Sequence, residues 1–247
     1  MKINIHPLST FILLGILLCG YFNYFLIISI ILICHDLGHL ILMKIFNVKI
    51  IDIQILPFGS MINTNIKYNL SSTKLFLISI GGILVQLVLY LVFYLLLKFN
   101  IISNLSYQIF LTYNKLIIIF NILPIIPLDG SKILLSFLER VFPYKISLKI
   151  LNYISLLSIL LFIFFNEMNL NLLLIGAFLL FKTYTEIFEH SFIFNKFLLE
   201  RYLYEIKYKR VKNIKDIKRI YKNKYNFINN ESEDKILAKI FDNNGYF

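Results

Sequence analysis

The sequence predicts an all-α polytopic membrane protein of about six transmembrane helices, with a membrane-associated β-hairpin and a short cytoplasmic α/β tail. Three observations carry that expectation. Of 247 residues, 58% are hydrophobic and 16% charged, and the mean hydropathy of +0.75 lies far outside the soluble range. Apolar runs near the ~20 residues that a bilayer-spanning helix needs recur through the first 190 positions. Lys and Arg collect in alternate connections and in the tail, as retention of positive charge on the cytoplasmic side requires.

Residues 8–46 hold no charge before Asp36 and are too long for one span, so the break "CGYFN" at 19–23 divides them into a short helix and a longer one. With only Lys2 ahead of it and no small-residue cleavage site, the first is read as a retained helix rather than a signal peptide. Further spans fall at 75–97, 109–139, 150–165 and 170–188, the fourth interrupted by Pro124 and Pro127. Six spans place both termini on one side, with Lys2, Lys44, Lys49, Lys67, Lys74, Arg140, Lys145, Lys149 and the basic tail, while the other side has little beyond Lys98. Both termini are therefore expected in the cytoplasm. Residues 1–190 read as a transmembrane domain and 191–247 as a basic cytoplasmic tail.

The stretch 47–66, "NVKIIDIQILPFGSMINTNI", is rich in β-branched residues around the turn-forming "LPFGS" and reads as the hairpin, with a plain amphipathic loop as the alternative. In the tail, residues 211–241 read as helix, strand "YNFI" and helix. The net charge of +11 follows from the loop bias plus this tail. A solvated or headgroup-facing segment accounts for it, and no direct contact with nucleic acid is expected. Cys19 and Cys34 both lie within spans, so no disulfide framework is implied.

Ionisable groups inside a span are costly and usually functional, and "IILICHDLGHLILM" at 30–43 holds three. His35 and His39, four apart, share one helix face with Cβ atoms about 5–6 Å apart, which suits two ligands of one metal ion. Asp36 follows the first histidine, where a zinc hydrolase places its general base. A histidine bonded to a neighbouring helix and a bis-histidine haem site are the other readings. His6 and His190 offer no obvious axial partner for a haem.

Catalytic zinc usually takes three protein ligands and one open position. "FNILPIIPLDGSK" at 120–132 offers the third, because Asp129 is the only acid between Asp52 and Glu139. Pro124 and Pro127 unwind the backbone around it and Gly130 permits a tight turn. Irregular backbone at membrane depth is tolerated where it lines a cavity. A kinked helix with a hydrogen-bonded aspartate is the alternative.

Together "HDLGH" at 35–39 and "NILPIIPLDG" at 121–130 resemble the site-2 protease family of intramembrane zinc metalloproteases, whose marks are H-E-x-x-H on one span and N-x-x-P-x-x-P-L-D-G on a later one. Within it the chain most resembles the branch of stage IV sporulation protein FB from spore-forming Firmicutes, through the further pieces "IHPL" at 5–8, "LPFGS" at 56–60 and "FLLERYLY" at 197–204. The resemblance implies Zn²⁺ held by His35, His39 and Asp129, with Asp36 as the catalytic base. Asn121 would contact substrate or a developing oxyanion, or else bond a helix backbone. It further implies a membrane-associated sigma-factor precursor, pro-sigma-K, as substrate, inhibitory membrane proteins as partners, and a place on the mother-cell side of the outer forespore membrane.

The chain departs from the pattern in four places. Asp36 stands where the family has glutamate, "GGILVQ" with Gln86 replaces a G-P-x-x-N-like turn, and "DGS" replaces "DGG". The tail is long enough for at most one reduced CBS-like unit. The reaction expected is zinc-assisted peptide hydrolysis with Asp36 as base, near the cytoplasmic end of its helix, because Lys44 is about 7.5 Å beyond His39. A catalytically impaired relative that acts by binding, and an ion transporter, are the alternatives. A transporter should repeat its architecture in two halves, and no such repeat is visible.

Overall fold

The computed structural model describes residues 2–5, 22–56, 59–64, 68–166, 169–204, 208 and 210–242. The chain divides into two compact units, Met1–Lys67 with Leu77–Ile122, and Tyr68–Phe76 with Leu123–Phe247.

In the first unit, strand β1 (Lys2–Ile5) precedes helix α1 (Phe22–Ile45), strands β2 (Ile50–Leu56) and β3 (Gly59–Thr64), helix α2 (Ser72–Lys98), most of which lies in this unit, and helix α3 (Asn104–Ile122). Helix α1 shows how a membrane helix sorts its faces. Leu26, Ile30, Ile33, Leu37 and Ile41 form an exposed apolar stripe, while Ile27, Ile31, His35, Gly38 and His39 form the buried one. Steps of three and four residues keep each set on one face, so both histidines point inward by position alone. The helix stops where Asn47 takes a left-handed conformation (φ 54°), with its N–H on the Lys44 carbonyl and that of Val48 on the Met43 carbonyl. Asn100 ends α2 the same way, through Leu97 and Leu96. Asparagine tolerates this geometry better than other non-glycine residues.

β2 and β3 form the expected antiparallel hairpin, with Ile53 opposite Ile62. β1 joins β2 in parallel, Lys2 opposite Asp52. That third strand pairs residues some fifty positions apart and leaves no local signal. In the same unit α1, α2 and α3 pack around Ile27, Ile31, Leu89, Phe93, Ile109 and Phe110, and the rings of Phe93 and Phe110 stack at 3.8 Å.

The second unit contains α4 (Asp129–Val141), α5 (Tyr144–Phe164), α6 (Leu170–Phe188), α7 (His190–Leu203), β4 (Val211–Ile214), a 3₁₀ turn (Ile217–Arg219), β5 (Tyr225–Ile228), β6 (Glu231–Ser232) and α8 (Glu233–Phe241). Among the described residues, four helices, α1, α2, α5 and α6, are long and apolar enough to cross a membrane. The first expected span, ahead of the break at 19–23, lies outside the described residues, as does Cys19. The fourth, 109–139, is interrupted at its prolines as read: helices α3 and α4 are separated by residues 123–128. Pro124 and Pro127 lack the N–H that would continue the helix, and each disfavours helical backbone in the residue before it. Ser155 and Thr183 satisfy the unwound segment instead. The Ile126 N–H donates to Ser155 Oγ (2.9 Å) and Thr183 Oγ1 donates to the Ile126 carbonyl. Gly130, expected in a tight turn, is the second residue of α4.

The tail also differs from expectation in part. "YNFI" is strand β5 and the last segment is helix α8, as read, but the first segment is β4 followed by the 3₁₀ turn rather than a helix. β4 pairs with β5 in parallel and β6 with β5 antiparallel. Ile220 and Leu237 of the tail complete a core with Tyr144, Leu148, Ile193, Phe194, Phe197 and Leu198. Two buried ion pairs accompany it, Lys222 with Glu139 (2.8 Å) and Arg201 with Glu233 (3.0 Å).

Candidate metal centre

His35 and His39 occupy successive turns on the buried face of α1, only 6% and 8% exposed. Their neighbours decide which nitrogen carries the proton. His35 Nδ1 lies 2.9 Å from Gln86 Oε1 and His39 Nδ1 lies 2.7 Å from the Ile78 carbonyl. Both oxygens only accept, so each Nδ1 is the donor and each Nε2 presents a lone pair. The two Nε2 atoms stand 3.1 Å apart. Two lone pairs at that distance repel one another unless a cation lies between them. Two nitrogens bound to one tetrahedral zinc at about 2.0–2.1 Å are separated by roughly 3.3 Å, so the pair fits such an ion.

Packing holds this geometry. A Cβ on Gly38 would run into the Gly81 carbonyl, and one on Gly82 would stand 2.5 Å from His35 Cε1 and 2.7 Å from its Nε2. Glycine at these positions lets α1 and α2 approach closely, as small residues do where membrane helices pack. Gln86 is itself fixed, since its amide donates to Asn114 Oδ1 (3.2 Å) and the Asn114 amide donates to the Gln86 carbonyl (3.1 Å). Both residues are fully buried. Such outer-shell partners orient a ligating imidazole and raise its basicity.

Asp129 is the first residue of α4 and 5% exposed. Lys132, one turn on, places its ammonium 2.8 Å from Asp129 Oδ1, and a helix N-terminus favours a carboxylate. His35 and His39 offer two ligand atoms in the first unit and Asp129 a third in the second, residue types able to hold a metal ion. Asp36 is half-buried beside His35. Asn121, half-buried near the end of α3, donates its amide to the Ile117 carbonyl (3.1 Å), the backbone bond that the sequence allowed as one of its two roles. Sequence reasoning marked Gln86 only as a departure from pattern and passed over Asn114. Their signal was present all the same, as uncharged amides deep within apolar helices.

Similarity to known proteins bears on the same chemistry. Residues 99–165 match the model of peptidase family M50. Stage IV sporulation protein FB of Bacillus subtilis is 29% identical over 206 residues, covering 82% of this chain and 72% of the relative. A zinc metalloprotease of Methanocaldococcus jannaschii is 29% identical over 154 residues, 61% of this chain but only 44% of the longer archaeal protein. The solved site-2 protease from the same archaeon superposes with a TM-score of 0.55 at 26% identity, covering 74% of this chain and 89% of that one. Paired imidazoles with opposed lone pairs, a carboxylate at the proline-broken segment and these matches point one way: residues 99–165 resemble peptidase family M50, and the chain is similar to a site-2 protease over most of its length.

Proposed function

We propose that this chain is a zinc-dependent intramembrane endopeptidase that cuts a membrane-associated sigma-factor precursor of the pro-sigma-K kind during sporulation. The observation that carries the reading is the approach of the two Nε2 lone pairs to 3.1 Å. His35, His39 and Asp129 would hold the ion, which would supply Lewis-acid chemistry toward a carbonyl and a water. Asp36 accepts a proton from the attacking water and returns it to the departing amine nitrogen. Gln86 and the Ile78 carbonyl keep both imidazoles in the tautomer that ligation needs. β3 ends the sheet order β1-β2-β3, and its outer edge offers backbone pairing to an extended peptide. That pairing helps because a peptide bond within a helix is shielded from attack.

The similarity to a sporulation protein supports the substrate class, inhibitory membrane partners and a place at the outer forespore membrane. The bias of Lys and Arg supports cytoplasmic termini and entry of water from that side. Co-expression with a membrane-associated sigma precursor tests the whole reading. Cleavage on a blot is expected with the native chain and absent with His39→Ala or Asp129→Ala, both of which should also lose zinc on metal analysis. Unchanged zinc in both variants refutes the ligand set.

The aspartate at position 36 favours a second reading, a catalytically impaired relative that binds its partner without cutting. Its arm is one carbon shorter than glutamate's, and a misplacement of about 1 Å can cost on the order of 10²-fold in rate. Asp36→Asn should abolish cleavage, whereas Asp36→Glu separates the readings. Little or no gain marks an adapted site, and no cleavage by either the native chain or Asp36→Glu leaves the binding role.

A further inference from the structure

The tail and the base of α5 together form an open cleft of about 430 Å³, lined by Lys145, Ile146, Lys149, Asp216, Lys218 and Arg219. Four of its six residues are cations, drawn from two chain segments some seventy positions apart. Lys145 and Lys149, four apart, share one face of α5. Lys218 and Arg219 come from the 3₁₀ turn, which is tied to α5 by the Tyr144 N–H on the Ile220 carbonyl (2.9 Å). None of the four makes an ion pair among the described residues. The one acid, Asp216, accepts the Lys218 backbone N–H at 3.1 Å and caps its own turn. His190, bonded to the Lys145 carbonyl, is kept below the ordinary histidine range by burial and adds no charge.

The height of the cleft follows from α5 itself. This helix is a candidate span, and residues 150–164 beyond Lys149 measure only about 22 Å, less than the ~30 Å hydrocarbon core. As a span, α5 needs its first turns to reach the bilayer boundary, which sets the ammonium groups of Lys145 and Lys149 at headgroup level. Ile146, 39% exposed, lies in the cleft, and Phe142, 40% exposed, stands just ahead of α5. A soluble phosphate compound has no use for apolar surface at that height, whereas a phospholipid presents phosphate and acyl chain together.

We propose that this cleft binds the phosphate headgroup of an anionic phospholipid, with Lys145, Lys149, Lys218 and Arg219 around the phosphate and Ile146 against the start of an acyl chain. The bound lipid thereby pins the tail to the membrane surface. The assignment stands independently of the metal centre.

The test uses the full chain in detergent, equilibrated with phosphatidylglycerol or phosphatidylcholine, with bound lipids counted by native mass spectrometry. Phosphatidylglycerol should be retained selectively. Each cation near an anionic surface contributes about a five-fold factor in binding, so Lys149→Gln/Lys218→Gln/Arg219→Gln should weaken retention on the order of 100-fold, with an unchanged thermal midpoint because all three side chains are exposed. Lys239→Gln, an exposed tail lysine already paired with Glu231, should change nothing. Equal retention of phosphatidylcholine by the native chain, or undiminished phosphatidylglycerol on the triple variant, overturns the proposal. Displacement of the lipid by millimolar inorganic phosphate overturns it too, in favour of a site for soluble phosphate.

Discussion

Replacing Lys222 by methionine should loosen the tail from the helices it packs on. The Lys222 ammonium lies 2.8 Å from Glu139 Oε1, with the two side chains 3% and 0% exposed, and 5.2 Å from the centre of the Tyr144 ring. At an effective dielectric of about 20 the gross attraction at that distance is about 6 kcal/mol, much of it offset by lost hydration. The relevant quantity is the cost of leaving Glu139 buried without its counter-charge, about 3–5 kcal/mol. Ser72 Oγ still donates to the other carboxylate oxygen (2.9 Å), but one such bond contributes only about 1.5–3 kcal/mol. A loss of that size should lower the thermal midpoint by on the order of 10 °C. Circular dichroism of the detergent-solubilised chain reads the midpoint, and trypsin reads earlier opening of the lysine-rich tail. Glu139→Met/Lys222→Met removes both charges and should recover most of the lost stability, since an apolar pair of similar volume is often neutral or better. A single variant that melts within about 1 °C of the native chain refutes the reasoning, as does a double variant less stable than the single one.

Gly82→Ala should abolish zinc retention and cleavage while the chain still inserts, because the added methyl meets the His35 ring at 2.5–2.7 Å; zinc content per chain checks this. Gln86→Leu should weaken zinc binding about 10–100-fold by removing the acceptor that holds His35 Nδ1–H, measured by competition with a chelator. Reporter fusions at residues 104 and 247 should report opposite sides of the membrane if positive charge sets the topology. The same side at both positions would sink the cytoplasmic assignment of the termini.

His35 and His39 were legible as a ligand pair from their spacing, because a helix converts a separation of four residues into a shared face whatever surrounds it. Asp129 stood out because it is a lone acid beside two prolines in an apolar run. The hairpin and the strand "YNFI" were readable for a similar reason, since alternation and turn chemistry act over a few residues. The break in 109–139 was legible from its two prolines, whereas the bonding of the unwound backbone by Ser155 and Thr183 was not.

What the sequence by itself determined is therefore what depends on neighbours a few positions apart: the membrane class, the helix faces, the candidate ligands and the turn at the prolines. Only the tertiary structure decided which tautomer the imidazoles hold, because Gln86 and the Ile78 carbonyl are 51 and 39 positions away from the rings they bond. It alone explained the glycines at 81 and 82, whose reason is the presence of α1 against them. The charges of the tail depend on it most. In sequence Lys222, Lys218 and Arg219 are members of one basic run, yet folding buries the first against Glu139 and leaves the other two exposed beside α5. Burial is a property of the assembled chain, and it decides whether a lysine is an internal ion-pair partner or a contact for something outside.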